Sequence, residues 1–166
     1  MSRHAIRTTV VAIAIGAIFA LTASAAVAAR TQIPVYDGPP HAGKNPLATP
    51  GQILWTGDST GMFAGRGTPG RSPKGRMHWS KWGATEGRGT GANWLNNCVP
   101  FCAAGKWTPF NVNLTVYRPR TLLGHKVFTR IKVAYTGKVP KGFKRTGVFK
   151  LAVMNKTYLW NFPISY

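Results

Sequence analysis

Two stretches near the middle of the chain alternate apolar and polar residues strictly enough to fix them as strands. In the first, Phe110, Val112, Leu114 and Val116 point one way and Asn111, Asn113, Thr115 and Tyr117 the other. In the second, Val127, Thr129, Ile131, Val133 and Tyr135 alternate with Lys126, Phe128, Arg130 and Lys132. A period of two assigns each set to its own sheet face, so these strands bury one side and show the other. Pro119, in Arg118-Pro119-Arg120, ends the first strand in this reading, because proline cannot donate to a ladder.

Shorter strands fit around this pair. Gln52–Thr56 and Gly61–Ala64 are apolar and bounded by turn residues, and Arg76–Trp82 sets Met77 and Trp79 against Arg76, His78 and Ser80. Thr85–Asn93 reads as a glycine-softened strand ending at Trp94-Leu95, and Val148–Met154 and Tyr158–Phe162 complete the set. Gly65–Gly75 and Thr136–Thr146 are rich in glycine, proline and basic residues, as loops are. No segment carries a convincing helical period. The expected fold is all-β, a small antiparallel sandwich or open barrel.

The N-terminus has a different character. Arg3 and Arg7 precede an apolar run from Val10 to Leu21, then Ala23-Ser24-Ala25 and Ala26-Val27-Ala28. Charge, a short apolar core and small residues spaced for signal peptidase form the layout of an export signal. The strongly apolar part is about a dozen residues, short of the roughly 20 that span a bilayer. The chain therefore divides into a secretory signal peptide at 1–28, a Pro/Gly-rich linker at 29–51 and a β-rich domain at 52–166. The leader adds a helix ahead of an extended arm, and no integral membrane domain is expected.

Export directs the charge toward the cell's exterior. Without Arg3 and Arg7, 20 Lys and Arg face only Asp37, Asp58 and Glu86, a balance of +17. Such an excess speaks of solubility and of polyanionic partners rather than of fold. Outside a cell these are anionic cell-wall polymers, lipid surfaces and, without sequence preference, nucleic acid. Export also bears on Cys98 and Cys102, the only cysteines: an even count in an oxidising compartment favours a disulfide. A metal site would want four ligands, and the spacing is not that of a redox pair. So tight a loop contributes roughly 2 kcal/mol, so the bond serves mainly to fix a local turn around Pro100.

Catalytic signals are sparse. The acid–base candidates are Asp58, Glu86 and His78, which would serve a secreted hydrolase of cell-wall polymer or carbohydrate if they converged. Asp58 in Gly57-Asp58-Ser59-Thr60-Gly61 suits a turn better than catalysis. No nucleophile elbow, zinc motif or phosphate-cradling loop occurs, and nothing calls for a cofactor. Binding has more material. Lys138, Lys141, Lys144 and Arg145 share one turn, and Arg118 and Arg120 flank another. Among the tryptophans, Trp82 falls off the Met77/Trp79 face and is the candidate exposed aromatic, either beside the cations or at the centre of a protein-interaction patch. The expected function is that of a non-enzymatic envelope-binding module.

The central block supports the same setting by resemblance. Trp79-Ser80-Lys81-Trp82-Gly83, Cys98-Val99-Pro100-Phe101-Cys102-Ala103-Ala104-Gly105, Arg118-Pro119 and Phe128-Thr129-Arg130 carry it. In these features residues 52–136 resemble a group of short exported proteins of actinobacteria known as hypothetical proteins. The resemblance implies export, a β domain, a disulfide and a Gram-positive envelope. It implies no activity.

Overall fold

The structure, a computed structural model, describes residues 30–35 and 46–161. The expected signal peptide, with the helix expected for it, lies outside these residues, as does Asp37. Eight strands follow in chain order: β1 (Ile53–Leu54), β2 (Gly61–Ala64), β3 (His78–Trp82), β4 (Glu86–Asn96), β5 (Trp107–Leu122), β6 (His125–Tyr135), β7 (Thr146–Met154) and β8 (Thr157–Asn161). They form one antiparallel sheet in the order β1-β2-β4-β5-β6-β7-β8, with β3 paired to β4 beside β2. β2 takes Ala92–Leu95 of β4 and β3 takes Gly87–Thr90, so the two share one edge end to end. The sheet curls into a half-barrel, the open-barrel alternative rather than the sandwich.

Curling gathers one face of every strand into a common core. Val112, Leu114 and Val116 of β5 meet Ile131, Val133 and Tyr135 of β6, Phe149 of β7 and Phe63 of β2 there. Gly87, Gly89 and Gly91 line the same face of β4. A side chain on these glycines would strike Trp82, Trp79 and Met77 respectively. The glycine stripe thus lets three large side chains from the neighbouring segment lie flat on the β4 backbone, and the lost conformational entropy is offset by close packing.

Three local departures from strand periodicity shape the sheet. The first is a register shift between Trp79 and Lys81, which inserts Ser80 as an extra residue. Such a bulge reverses parity, so Trp82 joins Trp79 on the inner face. The second is at Arg118, which has φ 55 and accepts a hydrogen bond on its carbonyl from Thr129 Oγ1 at 2.8 Å. Beyond this point Phe128 enters the core with Ile131, three residues away, although simple alternation groups it with the polar set. The third is β5 itself, which does not stop at Pro119 but runs to Leu122. Pro109 precedes the start of β6 pairing at Val112, and Pro119 follows the end of β4 pairing at Tyr117. At both, β5 has one neighbour only, the edge condition under which a strand accepts proline.

The described part of the linker is not outside the domain. Gln32 pairs in parallel with Val127, on the stretch of β6 that β7 leaves open. Ile33 pairs with Leu47 and is fully buried in the main core. Trp79, Trp82 and Trp160 donate their indole N–H groups to the carbonyls of Pro50, Thr31 and Pro34 at 2.8, 2.8 and 3.0 Å. Proline content marked this segment as extended, and it is; the tryptophans and Ile33 make it the last wall of the half-barrel.

Candidate functional site

The outer face of the sheet is polar apart from its β2 end, where Ala64, Ala92, Trp94 and Trp107 bury one another in a second, smaller cluster. Along β4, β5, β6 and β7, the partners Arg88, Thr115, Lys132 and Val148 form one cross-strand row. Glu86, Tyr117, Arg130 and Lys150 form the next, and Lys81 of β3 lies opposite Arg88. With strands about 4.8 Å apart, each row is roughly 14 Å wide. Arg88, Lys132, Lys150 and Lys81 are exposed, and Arg130 and Tyr117 are half-buried. Thr90, Asn113 and Asn111 extend this polar surface toward the opposite end of β5.

One carboxylate lies among these five cations. Glu86 Oε1 accepts from Lys81 Nζ at 2.8 Å and from Arg88 at 3.1 Å. The lysine hydrogen bond, aided by the charge of Arg88, holds the Glu86 carboxyl below its usual range despite some desolvation. Arg130 and Lys150, by contrast, stand directly opposite each other with no carboxylate between them among the described ion pairs. The Arg130 guanidinium donates to its neighbour Thr129's carbonyl at 2.7 Å. Like charges facing across a ladder oppose folding by a few tenths of a kcal/mol, and an anion laid between them reverses the sign.

The cations singled out from sequence occupy both ends of this face. Arg118 and Arg120 are exposed beside the early part of β6, Arg120 opposite Val127. Lys138, Lys141, Lys144 and Arg145 lie past its end at Tyr135, also exposed, roughly 20 Å or more away along the strand. They do not form a single cluster. Their turn is pinned from below by Val139 and Phe143, which pack on the core. Arg145 has a structural task as well, donating to the carbonyls of Tyr135 and Gly137 at 3.1 and 3.2 Å.

Trp82 is not an exposed aromatic. The bulge at Ser80 turns it inward, edge-on to Trp79 and Phe128 with centroids 4.6 and 5.5 Å apart. The acid–base candidates do not converge either. Glu86 begins β4, whereas the Asp58 turn adjoins Asn96 at its other end, where Asn96 N–H donates to Thr60. Ten residues of strand separate the carboxylates by roughly 30 Å, far beyond the reach of a glycosidase pair. Asp58 Oδ1 instead accepts from Thr60 Oγ1 at 2.6 Å and Thr60 N–H at 3.1 Å, a turn-closing role that lowers its pKa. His78 is exposed on the outer face, opposite Thr90. Cys98 and Cys102 are joined in a disulfide.

Arg88 and Lys81 stand out in the sequence as cations near tryptophans, Arg88 also as a surface partner of Glu86, which the ion pair bears out. Lys150, and the rows that join these cations across strands, are not legible there because adjacency across strands depends on register. The alternation of Lys126, Arg130 and Lys132 on β6 was the available signal. Comparison of the chain with protein-family models, with curated proteins and with solved structures finds no match.

Proposed function

We propose that the protein is an exported binding module that holds a linear polyanion of the cell envelope along the outer face of its sheet. The observation that carries this reading is the unneutralised cross-strand pair Arg130 and Lys150, flanked by Lys132, Arg88 and Lys81. Repeating anionic groups of a polymer match cations spaced at strand intervals, while Tyr117, Asn113 and Thr115 offer hydrogen bonds and a flat apolar ring between them. The terminal cations Arg118, Arg120, Lys138, Lys141 and Lys144 lengthen the track at either end. The leader-like N-terminus and the disulfide support an oxidising, extracytoplasmic setting, and the resemblance to actinobacterial exported proteins supports an envelope.

Retention of the full chain on immobilised polyphosphate, compared between about 50 and about 200 mM salt, tests the reading; counterion release makes such binding steeply salt-dependent. R130S/K150S should weaken retention and flatten the salt dependence. Salt-independent retention, or a double variant that binds like the parent, overturns it.

A further inference from the structure

At the end of the sheet away from Glu86, the chain presents apolar side chains to water in a deliberately stiffened loop. Val99 and Phe101 are 66% and 61% exposed, and Pro100, Ala103 and Ala104 are exposed beside them. From Cys98 to Gly105 the loop has no charged residue. Its shape is held from several directions. The disulfide closes Cys98 on Cys102. Asn96 Oδ1 accepts from Cys98 N–H at 2.9 Å, and Asn96 Nδ2 donates to the Cys102 carbonyl at 2.7 Å. Asn97 Oδ1 accepts from Val99 and Lys106 N–H at 3.2 and 2.8 Å, while Ala104 and Gly105 donate to the Phe101 and Cys102 carbonyls. Gly105 is needed, since a Cβ there would strike Asn96 Oδ1.

The base of the loop is cationic. Gly70 and Trp107 exchange both backbone hydrogen bonds, at 3.0 and 2.8 Å, which brings Arg71 and Lys106, one residue from the pairing on either segment, to the same place. Both are exposed, and Arg66 and Lys74 are exposed on the same glycine-rich segment. Among the described residues the ion pairs involve Glu86 alone, at the far end of β4.

We infer that this loop seats the protein on an anionic lipid bilayer, with Val99 and Phe101 entering the interfacial layer and Arg71 and Lys106 meeting the headgroups. Three features favour lipid over water as the surroundings of the tip. Apolar side chains gain by leaving water, and a rigid loop loses little entropy in doing so. The N–H groups of Cys98, Val99, Ala104, Gly105 and Lys106 are already bonded within the loop and Pro100 has none, which leaves only those of Phe101, Cys102 and Ala103 to be met by the polar groups of the interfacial layer. An apolar tip with a basic collar couples hydrophobic insertion to attraction by anionic headgroups, each weak alone and additive together. This surface is distinct from the outer-face track and does not depend on it.

Flotation of the full chain with vesicles of phosphatidylcholine, alone or mixed with phosphatidylglycerol, tests the inference. The parent should float with the anionic vesicles and V99S/F101S should partition on the order of tenfold less. R71S/K106S should lose the preference for phosphatidylglycerol. Retention on polyphosphate, thermal melting and an intact disulfide by mass keep loss of the loop's contact apart from loss of the fold or of the outer-face track. A parent that stays in solution with both vesicles overturns the inference, as does V99S/F101S floating like the parent. Self-association abolished by V99S/F101S, with no flotation, would instead assign the loop to a contact between copies.

Discussion

The indole Nε1 of Trp82 donates to the carbonyl of Thr31 at 2.8 Å, tying an inner-face side chain of β3 to the segment that precedes the sheet by some twenty residues. With Trp79 on Pro50 and Trp160 on Pro34, it makes the arm an element of the fold. Trp82→Phe should cost about 1 kcal/mol through the lost hydrogen bond, and Trp82→Ala about 3 kcal/mol through the emptied space beside Phe128. Removing the chain through Val35 should destabilise by at least as much, because Ile33 leaves the core. Urea unfolding followed by tryptophan fluorescence measures all three, and an arm deletion with unchanged midpoint would refute the docking.

Gly89 is one of the tight points of the glycine stripe. A Cβ there would lie 2.7 Å from Trp79 Cε3 and 2.9 Å from the backbone oxygen of His78. Tryptophan could swing aside; the carbonyl cannot. Gly89→Ala should therefore destabilise by about 1–3 kcal/mol, whereas Gly137→Ala, with open space around it, should not. Thermal melts of the two variants side by side decide the point.

Tyr135 and Asn93 predict an alkaline limit. Burial pushes the Tyr135 phenol up to about 12, against the Asn93 Nδ2–H donated to its oxygen at 2.8 Å, which pulls the other way. A folded pKa above the unfolded value of about 10 means the stabilisation is complete below pH 10 and is lost as pH rises toward 12. Spectrophotometric titration should show one tyrosine ionising last, together with unfolding. Asn93→Leu should cost about 3 kcal/mol, since Asn93 also accepts from Trp55 Nε1 at 3.0 Å. Finding Tyr135 ionised near pH 10 in the folded protein would rule this out.

Glu86 restrains the outer face. Because its carboxyl is held below the usual range chiefly by Lys81, it stays ionised until the pH falls through that lowered value, so its small contribution to stability is present above the ordinary carboxylate range and lost in acid. Glu86→Gln releases Lys81 and Arg88 and should strengthen retention on polyphosphate by a few fold at low salt, with little change at high salt. Unchanged or weaker retention would place the polyanion elsewhere.

Sequence periodicity found the strands well and the site poorly, for a single reason. Val112, Leu114 and Val116 declare an inner face because alternation is local. Parity is reset at Ser80 and Arg118 by backbone irregularities that no side-chain pattern announces, which is why alternation alone assigns Trp82 and Phe128 to the wrong face. The Arg130–Lys150 pair is a matter of register between strands that a basic turn separates. The clusters visible in sequence, Lys138 to Arg145 and Arg118 with Arg120, are contiguous in the chain and lie at opposite ends of the face. The disulfide between Cys98 and Cys102 was legible because they are the only two cysteines, which leaves no pairing to choose.

All three tryptophan bonds to the arm end on main-chain carbonyls, at Thr31, Pro34 and Pro50. Any residue supplies that acceptor. The arm is therefore held by its path more than by its spelling, apart from Ile33 in the core and Thr31, whose buried hydroxyl donates to the Ala84 carbonyl at 2.9 Å. Substitutions at Pro34 and Pro50 that keep the chain extended should be absorbed, while loss of any of the three indoles that read the path should cost stability. In a set of relatives, the mark of this architecture would be a drifting arm facing fixed tryptophans far away in the sequence.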